Sequence, residues 1–253
     1  MSLEDAVESY REHVAQLPRR IKPKELLRKR PLPLYWSLGI NSPHRLAEAL
    51  VQDRMAASLE MAMGYLYELV VQDACGARKL TNAEKKKWRG VDFRKESGAD
   101  VLLINLKSAR ATSNSDISTA TMMNLSTARA LEIREMAERS KSGDDNPLQR
   151  PAGQVTAVRA IARGKASSSI KSSGGQELSI LVGDALWEGL GAGANFGTKI
   201  QIAIGSNPVD VNLMAESVAA AVDKVEAEIR QSECVDTEGL IDWPCLLQKY
   251  PDA

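Results

Sequence analysis

Gly90-Val91-Asp92-Phe93, a reversal at Ser97-Gly98-Ala99-Asp100, then Leu102-Leu103-Ile104-Asn105-Leu106-Lys107-Ser108 is the stretch that decides the reading of this chain. Two apolar-rich runs flank a glycine-containing turn, the pattern of a β-hairpin. With the turn centred between Gly98 and Ala99, Asp92 stands opposite Asn105. Directly opposed residues point to one face of a sheet, and so do residues two apart on a strand. Asp92, Asn105 and Lys107 therefore share a face. Val91, Phe93, Ile104 and Leu106 share the other, which is free to pack on a helix.

An acid and a lysine so placed can hold a divalent metal beside a phosphodiester. Mg²⁺ prefers hard oxygen ligands and keeps several waters. Asp92 offers a carboxylate, and the backbone carbonyl of Leu106 offers a second oxygen. The Lys107 ammonium can orient or activate the attacking water and offset transition-state charge. A metal-dependent nuclease is the leading expectation. The plain alternative is a surface hairpin whose polar face includes Asp and Lys, because short motifs also match by chance.

The 253 residues suit one domain, or one domain with an arm, and are ample for a sizeable core. Aromatic residues are only 4% of the chain, so Leu, Ile, Val, Ala and Met must form most of that core. No apolar run is long enough to span a bilayer and no secretory signal opens the chain, so a cytoplasmic protein is expected. Cys75, Cys234 and Cys245 are odd in number and lack paired metal spacing, which suggests free thiols in a reducing compartment. His13 and His44 are the only histidines, which argues against a zinc site or a His-based triad. Metal-held water is then the more economical route to hydrolysis.

Lysines and arginines balance acids at a formal net charge of zero, but their distribution is uneven. Arg19, Arg20, Lys22, Lys24, Arg28, Lys29 and Arg30 crowd the N-terminal segment with only Glu25 opposing them. Arg78, Lys79, Lys85, Lys86, Lys87, Arg89, Arg94 and Lys95 flank the hairpin. Arg150, Arg159, Arg163, Lys165 and Lys171 accumulate where no acid occurs between Asp145 and Glu177. A basic surface around the hairpin suits phosphate binding; solvated helix faces and loops are the bland reading of any single run.

Residues 3 to 16 read as an amphipathic helix. Pro18, Pro23, Pro31 and Pro33 break the next stretch into a basic connection, so residues 1–42 form an N-terminal arm of a single domain covering 1–253. Ser42-Pro43 opens a helical region to about residue 75, with Leu46, Leu50, Met55, Leu59, Met63, Leu66, Val70 and Ala74 as a buried stripe. A basic loop leads to the hairpin. A polar loop at 109–118 precedes a helix over about 119–140, and Val155 to Ala162 reads as a buried strand. Gly164 to Gly175 reads as a flexible Ser/Lys/Gly loop, Gln176 to Val182 as a strand or helix start, and Gly183 to Gly189 as helical. Pro208 and Asp210 introduce a helix to about Ser232. The tail from Cys234 has no clear pattern.

These residues together resemble the PD-(D/E)XK nucleases, and more narrowly the PmeII family of type II restriction endonucleases. Ala57-Ser58-Leu59-Glu60 and Gly64-Tyr65-Leu66-Tyr67-Glu68 match that family's helix preceding the hairpin. Gly90-Val91-Asp92-Phe93 matches its G-[IV]-D-[LF], and Leu106-Lys107-Ser108 with Asn114-Ser115 matches part of I-K-S-G-P-N-W-G-N-S. Arg163-Gly164-Lys165 and the run Val182 to Leu190 resemble two later segments. The matched spacing runs from residue 57 to about 193.

The resemblance implies an α/β fold: a restriction-endonuclease-like PD-(D/E)XK core, with a mixed central sheet flanked by helices. It implies Mg²⁺-dependent, sequence-specific hydrolysis of double-stranded DNA by a homodimer, with a cognate DNA methyltransferase protecting host DNA. Asp92 takes the place of the metal-binding aspartate, Lys107 that of the catalytic lysine, and Glu68 that of the helix acid that often points into such sites; a helix-surface salt bridge is the alternative role for Glu68. Glu60, two turns away, reads as structural. Asn105 departs from the general motif, which has Asp or Glu two residues before the lysine. The amide puts metal affinity on Glu68, and it leaves open a catalytically weakened DNA-binding protein on the same fold. A repair or junction nuclease is a third reading. Ser108, Arg110, Ser113, Asn114 and Ser115 in the loop after Lys107, with Arg163, Lys165 and Lys171 further on, are candidate DNA contacts. The family's G-P-N-W is Ala109-Arg110-Ala111-Thr112 here, so no target sequence transfers.

Overall fold

The computed structural model describes residues 2–108, 115–142, 153–206 and 208–251. In chain order the helices are α1 (Leu3–Ala15), α2 (Pro23–Lys29), α3 (Leu32–Ser37), α4 (Pro43–Asp73), α5 (Asn82–Lys87), α6 (Ser115–Ser142), α7 (Asp184–Gly189), α8 (Phe196–Ser206), α9 (Val211–Gln231) and α10 (Trp243–Lys249). The strands are β1 (Arg78–Lys79), β2 (Phe93–Ser97), β3 (Asp100–Lys107), β4 (Val155–Ile161), β5 (Ser167–Ser173) and β6 (Gln176–Val182). The chain forms two compact units, one of Met1–Val7 with Met63–Ser206 and one of Glu8–Ala62 with Asn207–Ala253.

The first unit holds a six-stranded sheet in the order β1-β2-β3-β4-β6-β5. β1, β2 and β3 are antiparallel, β3, β4 and β6 run parallel, and β5 returns antiparallel on β6. The sheet is thus mixed and accompanied by helices, the α/β fold expected of a restriction-endonuclease-like core. Hairpin register is Phe93↔Ile104 through Ser97↔Asp100, which carries back to Asp92 opposite Asn105 as the turn position requires. β3 reaches its parallel neighbour through α6, as a same-direction return demands.

Both faces of the hairpin are covered. Phe93 and Ile104 are fully buried on one face. On the other, Val101, Leu103, Val155, Ala157 and Leu178 pack with Met122, Leu125 and Ala128 of α6. Val91 joins this second cluster rather than the Phe93 face. Gly90 at φ +79° turns the chain, and β2 begins only at Phe93, so strand alternation does not extend back to Val91. The polar face expected of the hairpin is therefore polar only toward its Lys107 end.

Several connections prove structured. The basic loop before the hairpin contains β1 and α5; Thr81 caps α5, with Glu84 returning the bond in a capping box. The expected loop Gly164–Gly175 contains β5, an edge strand that pairs with β6 from Ser167↔Val182 to Ser173↔Gln176. Its Ser/Lys side chains are mostly exposed, so no burial pattern marks it in the sequence. α8 was not legible at all. Residues 43–73 are one continuous helix.

The second unit has its own core: Leu26, Leu27, Leu32, Tyr35, Leu46, Leu50, Val222, Val225, Ile229, Trp243 and Leu246. The connection at residues 18–37 is helical here, because Pro18, Pro23 and Pro33 sit in first turns, where a missing N–H costs nothing. Asp210 caps α9 through the Asn212 and Leu213 amides. The tail closes on Trp243, whose ring stacks on Trp36 at 6.1 Å.

Cys234 and Cys245 form a disulfide, correcting the expectation of three free thiols; only Cys75 is free, and it is buried. Count and spacing could not show that the turn at Asp236–Leu240 brings the two Cα atoms within 5.4 Å. Burial pushes the Cys75 thiol up to about 11, so it is inert at neutral pH. A staple over so short a loop contributes on the order of 3 kcal/mol. Dithiothreitol is therefore expected to lower the melting temperature. The double replacement of Cys234 and Cys245 by serine should melt at that lower value with or without reductant.

Candidate active site

Asp92 reaches its place through the hairpin. Its N–H donates to the Ile104 carbonyl at 2.8 Å, fixing the backbone just ahead of β2. Its Oδ2 accepts from the Leu106 N–H at 2.9 Å and from Asn105 Nδ2 at 3.1 Å. The other oxygen, Oδ1, faces Lys85 Nζ at 3.8 Å. Partial burial raises the Asp92 carboxyl above its ordinary range, opposed by the Leu106 N–H and by the charges of Lys85 and Lys107. The nearby Glu68 carboxylate adds to the rise.

Asn105 is buried, and its Oδ1 has no hydrogen-bond partner among the described residues. The amide therefore spends its N–H on Asp92 and leaves an oxygen unmatched at the site, an arrangement costly unless something polar completes it. Lys107 ends β3 on the same face, half-buried. Its carbonyl is bonded to the Ala162 N–H at 2.8 Å, and its ammonium has no ion-pair partner among the described residues. Leu106 points its N–H toward Asp92, and the carbonyl of a strand residue points to the same side as its N–H. Glu68, on α4, is paired with Lys79 Nζ at 2.5 Å.

Among the described residues no three His, Cys, Asp or Glu side chains converge as an ion cage. A fully protein-ligated ion such as structural zinc does not fit. Mg²⁺ does fit, since it takes one or two carboxylates and fills its shell with water and phosphate oxygens. The unmatched Asn105 Oδ1 is suited to a water of that shell.

Among the candidate DNA contacts, Ser108 and Arg163 are brought together, the Arg163 N–H donating to the Ser108 carbonyl at 3.0 Å. Both continue strands at the sheet end that carries Lys107, and the exposed Lys165 follows in the turn to β5. Lys171 is not brought there; it stands opposite Leu178 on the outer strand β5. Arg110, Ser113 and Asn114 lie outside the described residues, as does the side chain of Ser115, the first residue of α6.

Three residues near the hairpin were missed as site residues. Lys79 and Lys85 were visible only as members of a basic run. Arg159 is paired with Asn105 across β3 and β4, is buried, and donates to Ser118 Oγ of α6. Its position inside an apolar strand was the available signal.

A mixed sheet whose antiparallel hairpin presents Asp92 and Lys107 at one end defines a restriction-endonuclease-like nuclease. Residues 2–212 match the model of the type II restriction endonuclease EcoO109I family. The chain belongs to that family and is a site-specific deoxyribonuclease acting on DNA. The match includes the first forty residues, where no motif was recognisable. No protein of curated function matches the chain. No helix among the described residues is long and apolar enough to cross a membrane.

The Asn105 position gives a direct prediction. Asn105→Asp sets a second carboxylate about 3 Å from Asp92, a like-charge contact that costs stability without metal. The metal-free melting temperature is expected to fall, and the rise on adding Mg²⁺ to exceed that of the unaltered protein. A thermal shift series over Mg²⁺ concentration checks both.

Proposed function

We propose that this chain is a Mg²⁺-dependent restriction endonuclease cutting both strands of a short duplex sequence. The observation that carries the reading is the clamp on Asp92. One carboxylate oxygen is fixed by Asn105 Nδ2 and the Leu106 N–H, with the Lys107 ammonium, which has no ion-pair partner among the described residues, on the same face. Asp92, the Leu106 carbonyl and Glu68 would hold the ion. Bound there, Mg²⁺ supplies charge to the phosphoryl oxygens and to a water. Lys107 orients the attacking water and balances charge as the phosphorus becomes five-coordinate. Asn105 holds the Asp92 rotamer. Ser108, Arg163 and Lys165 would meet the DNA backbone at the sheet end that carries Lys107, and Lys171 adds charge on the outer strand. Arg110, Ser113, Asn114 and Ser115 are further candidate DNA contacts in this reading. Motif likeness to the PmeII family supports the same chemistry.

Cutting two strands of a palindrome calls for two related sites, so a homodimer is part of the proposal. A methyltransferase of matching specificity would protect host DNA. The test is digestion of unmethylated phage DNA in Mg²⁺ by the protein and by Asp92→Ala and Lys107→Ala variants. Discrete fragments lost in both variants support the reading. A smear indifferent to both overturns the site. Tight, salt-sensitive binding without cleavage shows that Asn105 has left a weakened binder. Glu68 leaves the metal set if Glu68→Gln cuts with an unchanged Mg²⁺ requirement.

A further inference from the structure

Both carboxylates of the proposed metal site already carry a lysine. Lys85 Nζ lies 3.8 Å from Asp92 Oδ1, and Lys79 Nζ lies 2.5 Å from Glu68 Oε2. The other oxygen of Asp92 is taken by Asn105 and Leu106, so Lys85 faces the one oxygen left for a cation. Lys85 is not a wandering surface charge. Its helix, α5, is fixed by the Thr81–Glu84 capping box, by Arg78 gripping both Glu84 oxygens at 2.8 and 2.7 Å, and by Lys87 on Glu135 at 2.7 Å. The α5 acid, Glu84, is therefore already occupied, and Asp92 is what remains for Lys85.

We propose that Lys85 and Lys79 are resident counter-cations of the site. Each occupies a carboxylate in the free protein, gives way when Mg²⁺ binds, and then holds a phosphate of the DNA backbone next to the bond being cut. The inference rests on the metal reading of Asp92 and Glu68. Its physical content is competition: an ammonium and a divalent cation cannot share one carboxylate oxygen without strong repulsion. Displacement releases two ammonium groups, partly exposed at 37% and 41%, beside an incoming polyanion. The metal site is then weak without DNA and tightens when phosphates take over the lysines.

The experiment measures Mg²⁺ binding to the DNA-free protein by calorimetry for Lys85→Gln, Lys79→Gln and the pair. Lys86→Gln, an exposed neighbour on α5, serves as the control for general charge loss. Lys85→Gln is expected to tighten Mg²⁺ binding on the order of fivefold, with Lys86→Gln near the starting value. Unchanged or weaker Mg²⁺ binding in Lys85→Gln, or an equal gain in Lys86→Gln, overturns the competition. In Ca²⁺, the slope of log binding constant against log salt for a DNA duplex should fall by about 0.9 per lysine removed; an unchanged slope overturns the phosphate contact. Asp92→Asn separates the two readings. If it leaves Mg²⁺ binding intact, the metal site itself is wrong; if it abolishes binding while Lys85→Gln changes nothing, only this inference fails.

Discussion

Lys107→Ala is expected to lower the single-turnover cleavage rate by about 10²- to 10⁴-fold while duplex binding in Ca²⁺ changes far less. The split follows from where the lysine sits. Its backbone is held by the β3–β4 ladder through Ala162, so truncating the side chain leaves the strand in place. Its ammonium is unpaired among the described residues, so no structural ion pair is lost. What disappears is a positive charge on the Asp92 face, worth most where charge develops on phosphorus. Asp92→Ala should be as severe, but by a different route, since metal binding is lost with it. A Lys107→Ala protein that cuts at more than a tenth of the normal rate would remove Lys107 from the chemistry.

The acid limb of activity follows from Asp92. Its carboxyl is raised by burial and must be ionised to bind a cation. Activity should therefore fall, as pH drops, at a higher pH than an ordinary aspartate would give. The stability sign is opposite to that of a salt-bridged acid. A carboxyl raised in the folded state contributes stability below its unfolded value and loses it as pH rises through the folded value. Ionised Asp92 is thus a net cost in the metal-free protein at neutral pH. Asp92→Asn should melt higher than the parent at pH 8 without metal, with the gain fading in acid.

Local geometry was legible in the sequence wherever one residue type fixed it. Gly98 set the turn, the turn set the register, and the register put Asp92 opposite Asn105; the clamp on Oδ2 follows from that single count. Asp210 marked the start of α9 in the same way. What failed depended on packing or on distance along the chain. Prolines read as breaks because sequence does not tell a first-turn proline from an interior one. Strand β5 has no apolar face to announce it, since an edge strand is held by its neighbour's backbone. Lys85 and Lys79 were seen as charge, and their targets were not, because nothing in a run of lysines says which one faces Asp92. The disulfide was hidden for the same reason, its closure depending on a turn rather than on a count.

Glu132→Ala is expected to destabilise the first unit by about 3 kcal/mol or more, among the largest effects of any single change here. Glu132 lies on α6 and is fully buried. Its Oε1 accepts from Arg94 Nη2 at 2.8 Å and from Arg139 Nη2 at 2.9 Å. Arg94 is itself 9% exposed, on β2, two residues beyond Asp92, with Trp88 beneath its guanidinium. Removing the carboxylate leaves that guanidinium buried, with the exposed Glu96 as its remaining ion-pair partner among the described residues. A buried charge stripped of its buried partner costs far more than the pair contributed. Two further variants separate this from simple loss of contacts. Glu132→Gln keeps an acceptor for Arg94 and should cost less than alanine. Arg94→Met combined with Glu132→Leu removes both charges and fills the space, and should recover most of the stability lost in Glu132→Ala. Chemical denaturation read by far-ultraviolet circular dichroism gives the ordering. If the double variant is no more stable than Glu132→Ala, shape rather than charge governs this contact. Cleavage by the double variant at low temperature then reports whether Arg94 also steers its neighbour: the Asp92 carboxylate is held by Asn105, Leu106 and Lys85 and not by Arg94, so activity should persist wherever the protein remains folded.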